Sequence, residues 1–422
     1  MTPAARLQAA IELLQAIEAD GRGADRVMGA YFRARRYMGS GDRNKVRERV
    51  YGVLRRHARL DWHLARIGLA SSPRARVLAD AVIAGGAEAD SLFSGLVYAP
   101  AVLDPNEAHA VALLTGRPLE DASMPPHAVA ECPDWVLPKL RHLSLEELAA
   151  LNVPAPVDLR VNALKATREA AAAALAEAKI ETAPTPLSPL GLRLSGRVRL
   201  DSTAAYRDGL VEVQDEGSQL AALLLGAKPG MTVLDWCAGA GGKTLAIAAE
   251  MKGRGRLVAG ETSAARLANL AERATRAGVD FIETAVPPEA LEIVADRVLV
   301  DAPCSGSGTW RRHPEAKWKL SPEALAGYVR AQREILAAAA ARVAPGGVLL
   351  YVVCSLLAEE GADQVAAFLA VHRDFARVSA REMWARAIGT AAPAGAGDGD
   401  LLLTPARHGT DGFFVAAFER VP

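Results

Sequence analysis

The sequence is poor in cysteine and has no long hydrophobic run. Four cysteines in 422 residues are too few for a disulfide framework, and they lack the Cys-x-x-Cys spacing of zinc sites. We therefore expect reduced thiols and no metal, with Cys132 and Cys237 as core residues. No apolar stretch approaches the roughly 18 residues that suggest a membrane span, and charged residues interrupt residues 1–19, unlike a signal peptide. These absences predict a cytoplasmic protein without a membrane partner.

The formal net charge is zero, but the charge is unevenly distributed. Residues 1–70 contain 14 Lys and Arg against 7 Asp and Glu, a net of +7, so the remaining residues carry −7. A solvated helix surface and contact with RNA phosphates both fit this pattern, and the one-sided excess favours the second. Residues 42–56 contribute most of it, because apolar residues at helical spacing are accompanied there by Arg43, Lys45, Arg47, Arg49, Arg55 and Arg56.

The spacing of apolar residues changes twice along the chain. Residues 1–143 show helical spacing only, with breaks such as Gly85-Gly86, whereas residues 144–212 mix short strands with a helix. From residue 213 onward, strands alternate with helices. We therefore predict an all-α domain (1–143), a small α+β subdomain (144–212) and an α/β domain (213–422) with a doubly wound, Rossmann-like parallel sheet. Its strands are predicted at Thr232–Trp236, Arg256–Glu261, Asp280–Thr284, Arg297–Asp301, Val348–Val353 and Phe413–Phe418.

Two apolar strands of the third segment lead into cysteines. One is Arg297–Val300, which is followed by Asp301-Ala-Pro-Cys-Ser-Gly-Ser-Gly308, and the other runs from Gly346 to Cys354. The carboxyl ends of parallel strands meet at one edge of a sheet, where α/β proteins bind ligands. We therefore predict that Cys304 and Cys354 belong to one site. The alternative is that both are packed core thiols.

A glycine-rich loop, Asp235-Trp-Cys-Ala-Gly-Ala-Gly-Gly-Lys-Thr244, follows the first strand of the α/β domain. A phosphate-binding P-loop would need glycine where Cys237 stands, and a dinucleotide fingerprint would need a third glycine where Thr244 stands. S-adenosylmethionine, which has no phosphate, fits better. Asp235 can hold its cationic group, and Glu261 at the end of the next strand can accept hydrogen bonds from both ribose hydroxyls.

These segments resemble the Nop/Sun (RsmB-type) family of RNA 5-methylcytosine methyltransferases. Residues 41–62 further resemble the NusB-like RNA-binding helical domain of RsmB-type members. The resemblance implies a class I methyltransferase fold preceded by the small subdomain and the helical domain. The family motifs lie within residues 130–422 and comprise Leu159–Lys165, Val213–Gln219, Asp235–Thr244, Asp301–Gly308, Gln332–Leu336, Cys354-Ser355 and Gly409–Phe414.

The resemblance also implies a covalent mechanism. The Cys354 thiolate would add to cytosine C6, which makes C5 nucleophilic, and Cys304 would take part in product release. Asp301 would hold the cytosine amine and N3, while Lys243 would stabilise the thiolate and assist proton transfer. The implied contacts to S-adenosylmethionine come from Asp235, Cys237, Ala238, Gly239, Gly241, Gly242, Lys243, Glu261, Arg266 and Asp301.

Three other segments have open interpretations. In the family that the chain resembles, an acidic residue of the third strand usually contacts the adenine. The third strand of this chain lacks that residue, so Glu283 or the backbone is the candidate for the adenine contact. Arg160 and Asn162 fit either contacts to RNA backbone or a salt bridge and a turn. Trp310–Lys319 interleaves aromatic and basic residues, which fits either base stacking with phosphate contact or a packed surface loop.

The expected partner is structured RNA. The resemblance to RsmB-type members favours 16S ribosomal RNA, with transfer RNA as the alternative substrate of the same chemistry. A ribosome-assembly factor that binds RNA without turnover is the alternative of a different class, which the two thiols disfavour. We expect the protein to be a monomer.

Overall fold

The computed structural model describes residues 1–83, 89–196, 198–290 and 292–422. They form two compact units. The first comprises Met1–Asn152 and Trp310–Leu320, and the second comprises Val153–Thr309 and Ser321–Pro422. The predicted division at residues 143 and 212 stays a prediction, and the break at Gly85-Gly86 lies outside the described residues.

The described part of residues 1–152 is helical and contains no strand, as the spacing of its apolar residues predicts. In the basic helix Ser40–Arg55, Val46, Val50, Val53 and Leu54 are buried, so its apolar face packs into the core. The helices are α1 (Pro3–Ala19), α2 (Ala24–Ala34), α3 (Ser40–Arg55), α4 (His57–Arg66), α5 (Pro73–Ile83), α6 (Ala89–Leu92), α7 (Pro105–Leu114), α8 (Pro126–Val129), a 3₁₀ turn (Leu137–Leu140) and α9 (Leu145–Ala150).

Several arginines of the basic helix make internal contacts. Arg49 and Arg56 both pair with the buried carboxylate of Asp80 at 2.8 Å. Arg55 donates to the carbonyl of Arg311 at 3.1 Å. These contacts stabilise the fold, and the preference for phosphate contact over a solvated surface at residues 42–56 stays a prediction.

The segment Trp310–Leu320 belongs to the helical unit, although it follows the Asp301–Gly308 motif in sequence. The Glu315 carboxylate accepts a hydrogen bond at 2.8 Å from Ala24 N at the start of α2. The Lys317 ammonium is buried and donates to Asn152, and its burial lowers its pKa to about 8. Trp318 stacks on His57 with ring centroids 4.3 Å apart. Contacts of this kind make the packed interpretation of the segment correct.

The second unit begins with a small antiparallel sheet and its helices. The strand order is β2-β3-β1-β4. Arg160 and Asn162, at the end of β1, are both buried, so they do not contact RNA backbone. The elements are β1 (Asp158–Val161), α10 (Arg168–Glu177), β2 (Thr182–Pro184), β3 (Gly191–Leu194), a 3₁₀ turn (Leu200–Ser202), α11 (Ala204–Arg207) and β4 (Val211–Val213).

A larger sheet follows, with helices on both of its faces. Its order is β10-β12-β9-β8-β5-β6-β7, and β11 pairs with β12. The elements are α12 (Glu216–Leu224), β5 (Thr232–Asp235), α13 (Gly242–Glu250), β6 (Arg256–Gly260), α14 (Ala264–Ala277), β7 (Ile282–Ala285), 3₁₀ turns (Pro288–Ala290, Ser307–Thr309 and Ala358–Glu360), β8 (Ala295–Asp301), α15 (Ala316–Lys319, in the helical unit), α16 (Pro322–Ala340), β9 (Val343–Val353), α17 (Ala362–Val371), β10 (Phe375–Val378), α18 (Ala380–Ala387), β11 (Leu401–Leu403), α19 (Pro405–His408) and β12 (Phe413–Arg420).

The topology confirms the predicted Rossmann-like fold class. Strands β5 to β9 pair in parallel, but β12 runs antiparallel to β9, so the sheet is not parallel throughout. Adjacent β8 and β9 place Asp301 opposite Val352. The loops that follow these two strands therefore begin at the same edge of the sheet. Across the described ranges, no helix combines the length and the apolar character needed to cross a bilayer.

Candidate active site

A cavity of about 560 Å³ lies within the second unit, at the carboxyl ends of β5, β6, β8 and β9. Of the predicted site residues, only Gly241 does not line this cavity. The lining also includes five residues that the sequence analysis did not predict: Ser218, Pro288, Glu289, Tyr328 and Ile335. The predicted residues in the lining are Asp235, Cys237, Ala238, Gly239, Gly242, Lys243, Glu261, Arg266, Asp301, Cys304 and Cys354.

The glycine loop turns sharply between β5 and α13. Gly239 and Gly241 have φ values of 55° and 81°, in the left-handed region that favours glycine. A Cβ on Gly241 would lie 2.1 Å from Leu270 Cδ1 on α14, so this glycine permits packing against that helix. Its role is therefore to shape the loop, while Gly239 lies open at the cavity.

The loop is also held from behind by the small sheet. The buried Arg160 guanidinium donates to the carbonyl of Gly242 and to the Gln214 side chain. Asn162 donates to the carbonyls of Gly209 and Ala277, at 3.0 and 2.8 Å. These two residues therefore position the start of α13 and the end of α14.

Asp235 is buried at the base of the cavity. Thr244 donates to its Oδ2 at 2.6 Å, whereas its Oδ1 has no hydrogen-bond partner among the described residues. Burial raises the pKa of this carboxyl to about 7, with the Thr244 hydrogen bond opposing the shift and the charge of Asp301 adding to it. A buried carboxylate oxygen without a donor fits a cationic or hydrogen-bonding ligand group.

Glu261 is buried one strand away. Its Oε2 accepts a hydrogen bond from Gly239 N at 3.1 Å, and its Oε1 accepts one from Thr262 N at 2.9 Å. Arg266, whose side chain is largely exposed, lies 3.4 Å from the same carboxylate. Backbone donors thus fix the carboxylate at the cavity wall.

Glu283 does not reach this cavity. Its carboxylate pairs with Arg256 at 2.8 Å, at the amino end of β6, and both side chains are exposed. Glu283 is therefore wrong as the adenine contact. Pro288 and Glu289, which follow β7, line the cavity instead.

The buried Lys243 and the half-buried Asp301 form an ion pair with a distance of 2.7 Å from Nζ to Oδ2. Burial disfavours the charged lysine, but Asp301 outweighs it and the pKa of Lys243 is raised. The Lys243 ammonium also interacts with Cys354 through its charge. A permanent positive charge therefore lies beside that thiol.

The two predicted thiols meet at the cavity. Their Sγ atoms are 3.4 Å apart, within hydrogen-bond distance for sulfur. The hydrogen bond to Cys354 and burial raise the pKa of Cys304 well above its ordinary value. Burial likewise raises the pKa of the Cys237 thiol, which fits the expectation of a packed thiol.

The loops that carry the thiols are joined by backbone contacts. Gly308 N donates to the carbonyl of Cys354 at 3.0 Å, and Gly412 N donates to the carbonyl of Gly308 at 2.8 Å. A Cβ on Gly308 would lie 2.1 Å from Gly412 O. The motif before β12 therefore packs directly on the loop after β8.

Comparison with known proteins gives the family. A model described as 16S rRNA methyltransferase RsmB/F matches residues 222–419, and a model of the RsmF/B-like ferredoxin-like domain matches residues 132–201. The probable ribosomal RNA small subunit methyltransferase B of Synechocystis sp. is 34% identical over 302 residues, which are 68% of this chain and 66% of that protein. The chain spans between 53% and 66% of the length of the first curated relatives it matches.

Solved structures agree. The crystal structure of PH0851 has a TM-score of 0.79 and 26% identity, with 100% of this chain and 99% of that chain covered. NSun6 from Pyrococcus horikoshii, solved with SFG, has a TM-score of 0.61 and 20% identity over 69% of this chain and 98% of that chain, a likeness that concerns the fold alone. Together with the two family models, these similarities show that the chain belongs to the RsmB/F family of 16S rRNA methyltransferases.

Proposed function

We propose that this protein is an S-adenosylmethionine-dependent methyltransferase that makes 5-methylcytosine in 16S ribosomal RNA, acting as a cytoplasmic monomer without a metal. The observation that carries the proposal is the pair of sulfurs 3.4 Å apart, on the lining of the same cavity as Asp235 and Glu261. A thiol pair beside a nucleoside-binding pocket suits covalent activation of a pyrimidine.

The cavity residues fit S-adenosylmethionine. The unpartnered Oδ1 of Asp235 suits its ammonium group, the open Gly239 allows close approach of its amino-acid part, and Glu261 suits the ribose hydroxyls. When bound, this cofactor supplies an electrophilic methyl group on a sulfonium. Pro288 and Glu289 are the proposed neighbours of the adenine, in place of the acidic residue that the third strand lacks.

The remaining residues would activate the base. A Cys354 thiolate forms a bond to C6 of cytosine, and the C5–C6 π electrons become available at C5 for the methyl group, whose bond to the sulfonium would break to leave a neutral thioether. Lys243 stabilises the thiolate by charge, and Asp301 accepts a hydrogen bond from the cytosine amine, which uracil lacks. Once C5 is methylated, its proton is lost to a base, the C5=C6 bond reforms, and the sulfur departs as a thiolate. The target nucleotide must be unpaired or flipped out of its helix to reach this cavity.

Bisulfite sequencing of ribosomal and transfer RNA from a deletion strain tests the proposal. We expect one or more methylated cytosines to be lost from 16S RNA and restored by the wild-type gene. Loss from transfer RNA alone would show that transfer RNA is the substrate. No loss in either RNA would favour a non-catalytic assembly factor. A gene carrying Cys354→Ala is the matched control and should not restore the modification.

Cofactor binding should depend on pH through Asp235. Its carboxyl has a pKa of about 7, so below pH 7 it becomes protonated and loses the charge that attracts the cofactor ammonium. We expect affinity to fall by up to about tenfold per pH unit below 7. Calorimetric titration between pH 5.5 and 7.0, where an α-amino group stays mostly protonated, measures this dependence.

Two variants control that measurement. Asp235→Asn should bind more weakly near neutral pH and lose the dependence, while Asp280→Asn, an exposed residue outside this cavity, should retain the wild-type profile. A pH-independent wild-type affinity would show that Asp235 does not contact the ammonium.

A further inference from the structure

A buried carboxylate lies behind the thiol pair. Glu360, at the end of the 3₁₀ turn after β9, is fully buried. Its Oε1 accepts hydrogen bonds from Ser305 N at 2.8 Å and from Gln332 Nε2 at 3.1 Å. Its Oε2 accepts hydrogen bonds from the hydroxyls of Ser305 and Ser355. All four of these donors are neutral, and no ion pair with a basic side chain is found for this carboxylate among the described residues.

The hydrogen bonds of Glu360 reach both thiol loops. Ser305 directly follows Cys304, and Ser355 directly follows Cys354. One side chain therefore contacts both loops that carry the sulfurs. Because the carboxylate is itself anchored to Gln332 on α16, it can set the spacing between the two loops.

The charges around the two sulfurs have opposite signs. Cys304 faces the negative Glu360 and the neutral phenol of Tyr351, whose Oη donates to the carbonyl of Glu360 at 2.7 Å. Cys354 faces the positive Lys243, which is paired with Asp301. A negative charge disfavours a thiolate and a positive charge favours one. Of the two directions that the hydrogen bond between the sulfurs can take, the arrangement favours Cys304 as the donor and Cys354 as the acceptor.

We propose that Glu360 is a positioning residue that fixes the direction of the thiol–thiol hydrogen bond, with Cys304 as donor and Cys354 as acceptor. This inference rests on the proposed function and deepens it. Cys304 then does not compete for cytosine C6. When the C6–S bond breaks, its electron pair returns to Cys354, and the Cys304 S–H stabilises that charge by a hydrogen bond without losing its proton. A stabilised thiolate is a better leaving group.

The test compares alkylation of the two cysteines by iodoacetamide, read by peptide mass spectrometry between pH 6 and 10. In the wild type, Cys354 should react at a lower pH than Cys304. Glu360→Gln removes the charge while keeping a similar shape, and it should shift the Cys304 profile down by about one pH unit, which raises the Cys304 to Cys354 labelling ratio about tenfold near neutral pH. Asp363→Asn, which removes an exposed charge three residues away, should keep the wild-type ratio.

Glu360→Asp retains the charge and should keep the ratio close to that of the wild type, even if the fold is less stable. If Cys304 of the wild type reacts at the lower pH, or if a folded Glu360→Gln protein keeps the wild-type ratio, the assignment is overturned. Labelling uses no RNA, so this outcome is independent of the bisulfite result that tests the proposed methylation.

Discussion

Replacing Cys354 with alanine should abolish methyl transfer to RNA. Without a sulfur to add to C6, cytosine C5 is too weak a nucleophile to accept the methyl group, and the loss should be on the order of 10⁴-fold or more. Transfer of a radiolabelled methyl group from S-adenosylmethionine to unmodified 16S RNA measures it. Cofactor affinity should stay within about threefold of the wild type, because the ammonium and ribose contacts are assigned to other residues.

Cys132→Ala is the matched control for that experiment. It also removes a thiol, but Cys132 is a buried residue of the helical unit. Its activity per folded molecule should equal that of the wild type. Substantial methyl transfer by Cys354→Ala would show that another group attacks C6.

Replacing Cys304 with alanine should trap the protein on its RNA. Cys354 can still add to C6, but the departing thiolate loses the hydrogen bond from the neighbouring sulfur 3.4 Å away. Release of the methylated product should therefore become slow, and a covalent complex should accumulate. A denaturing gel would show it as a band of reduced mobility that depends on RNA and cofactor.

The double variant Cys304→Ala/Cys354→Ala should give no such band, since no nucleophile remains. An adduct in Cys354→Ala together with none in Cys304→Ala would reverse the roles of the two residues. If Cys304→Ala is active at the wild-type rate, Cys304 takes no part in product release.

Much of the cavity could be predicted from sequence because strand direction determines it. Asp235, Glu261 and Asp301 each stand at or just after the end of a parallel strand, so their positions follow once β5, β6 and β8 are recognised. The same reasoning placed Cys304 and Cys354 together. It failed for the last strand, because the continuous apolar run at residues 413–418 carries no information on strand direction.

Contacts between distant segments could not be predicted in this way. Glu360 accepts hydrogen bonds from Ser305 and Gln332, and only the folded chain brings these residues together. Lys317 looked available for a phosphate, yet it is buried beside Asn152. The amino-acid composition of a segment shows which side chains could bind a ligand. It does not show which of them are buried in contacts within the fold.

The same limit applies to Arg160. An isolated arginine after a hydrophobic residue suggests either a ligand contact or a salt bridge, but the guanidinium is buried and bonds to a backbone carbonyl and an amide. Burial lowers its pKa to about 10, which leaves it charged at neutral pH. Arg160 therefore positions the start of α13 and does not present an exposed charge.

The chain enters the helical unit twice, first as Met1–Asn152 and again as Trp310–Leu320. Deleting residues 1–152 would therefore leave part of this unit behind. A protein expressed from residue 153 onward would keep Trp310 and Lys317, which are buried here, but would lose the helices of their unit.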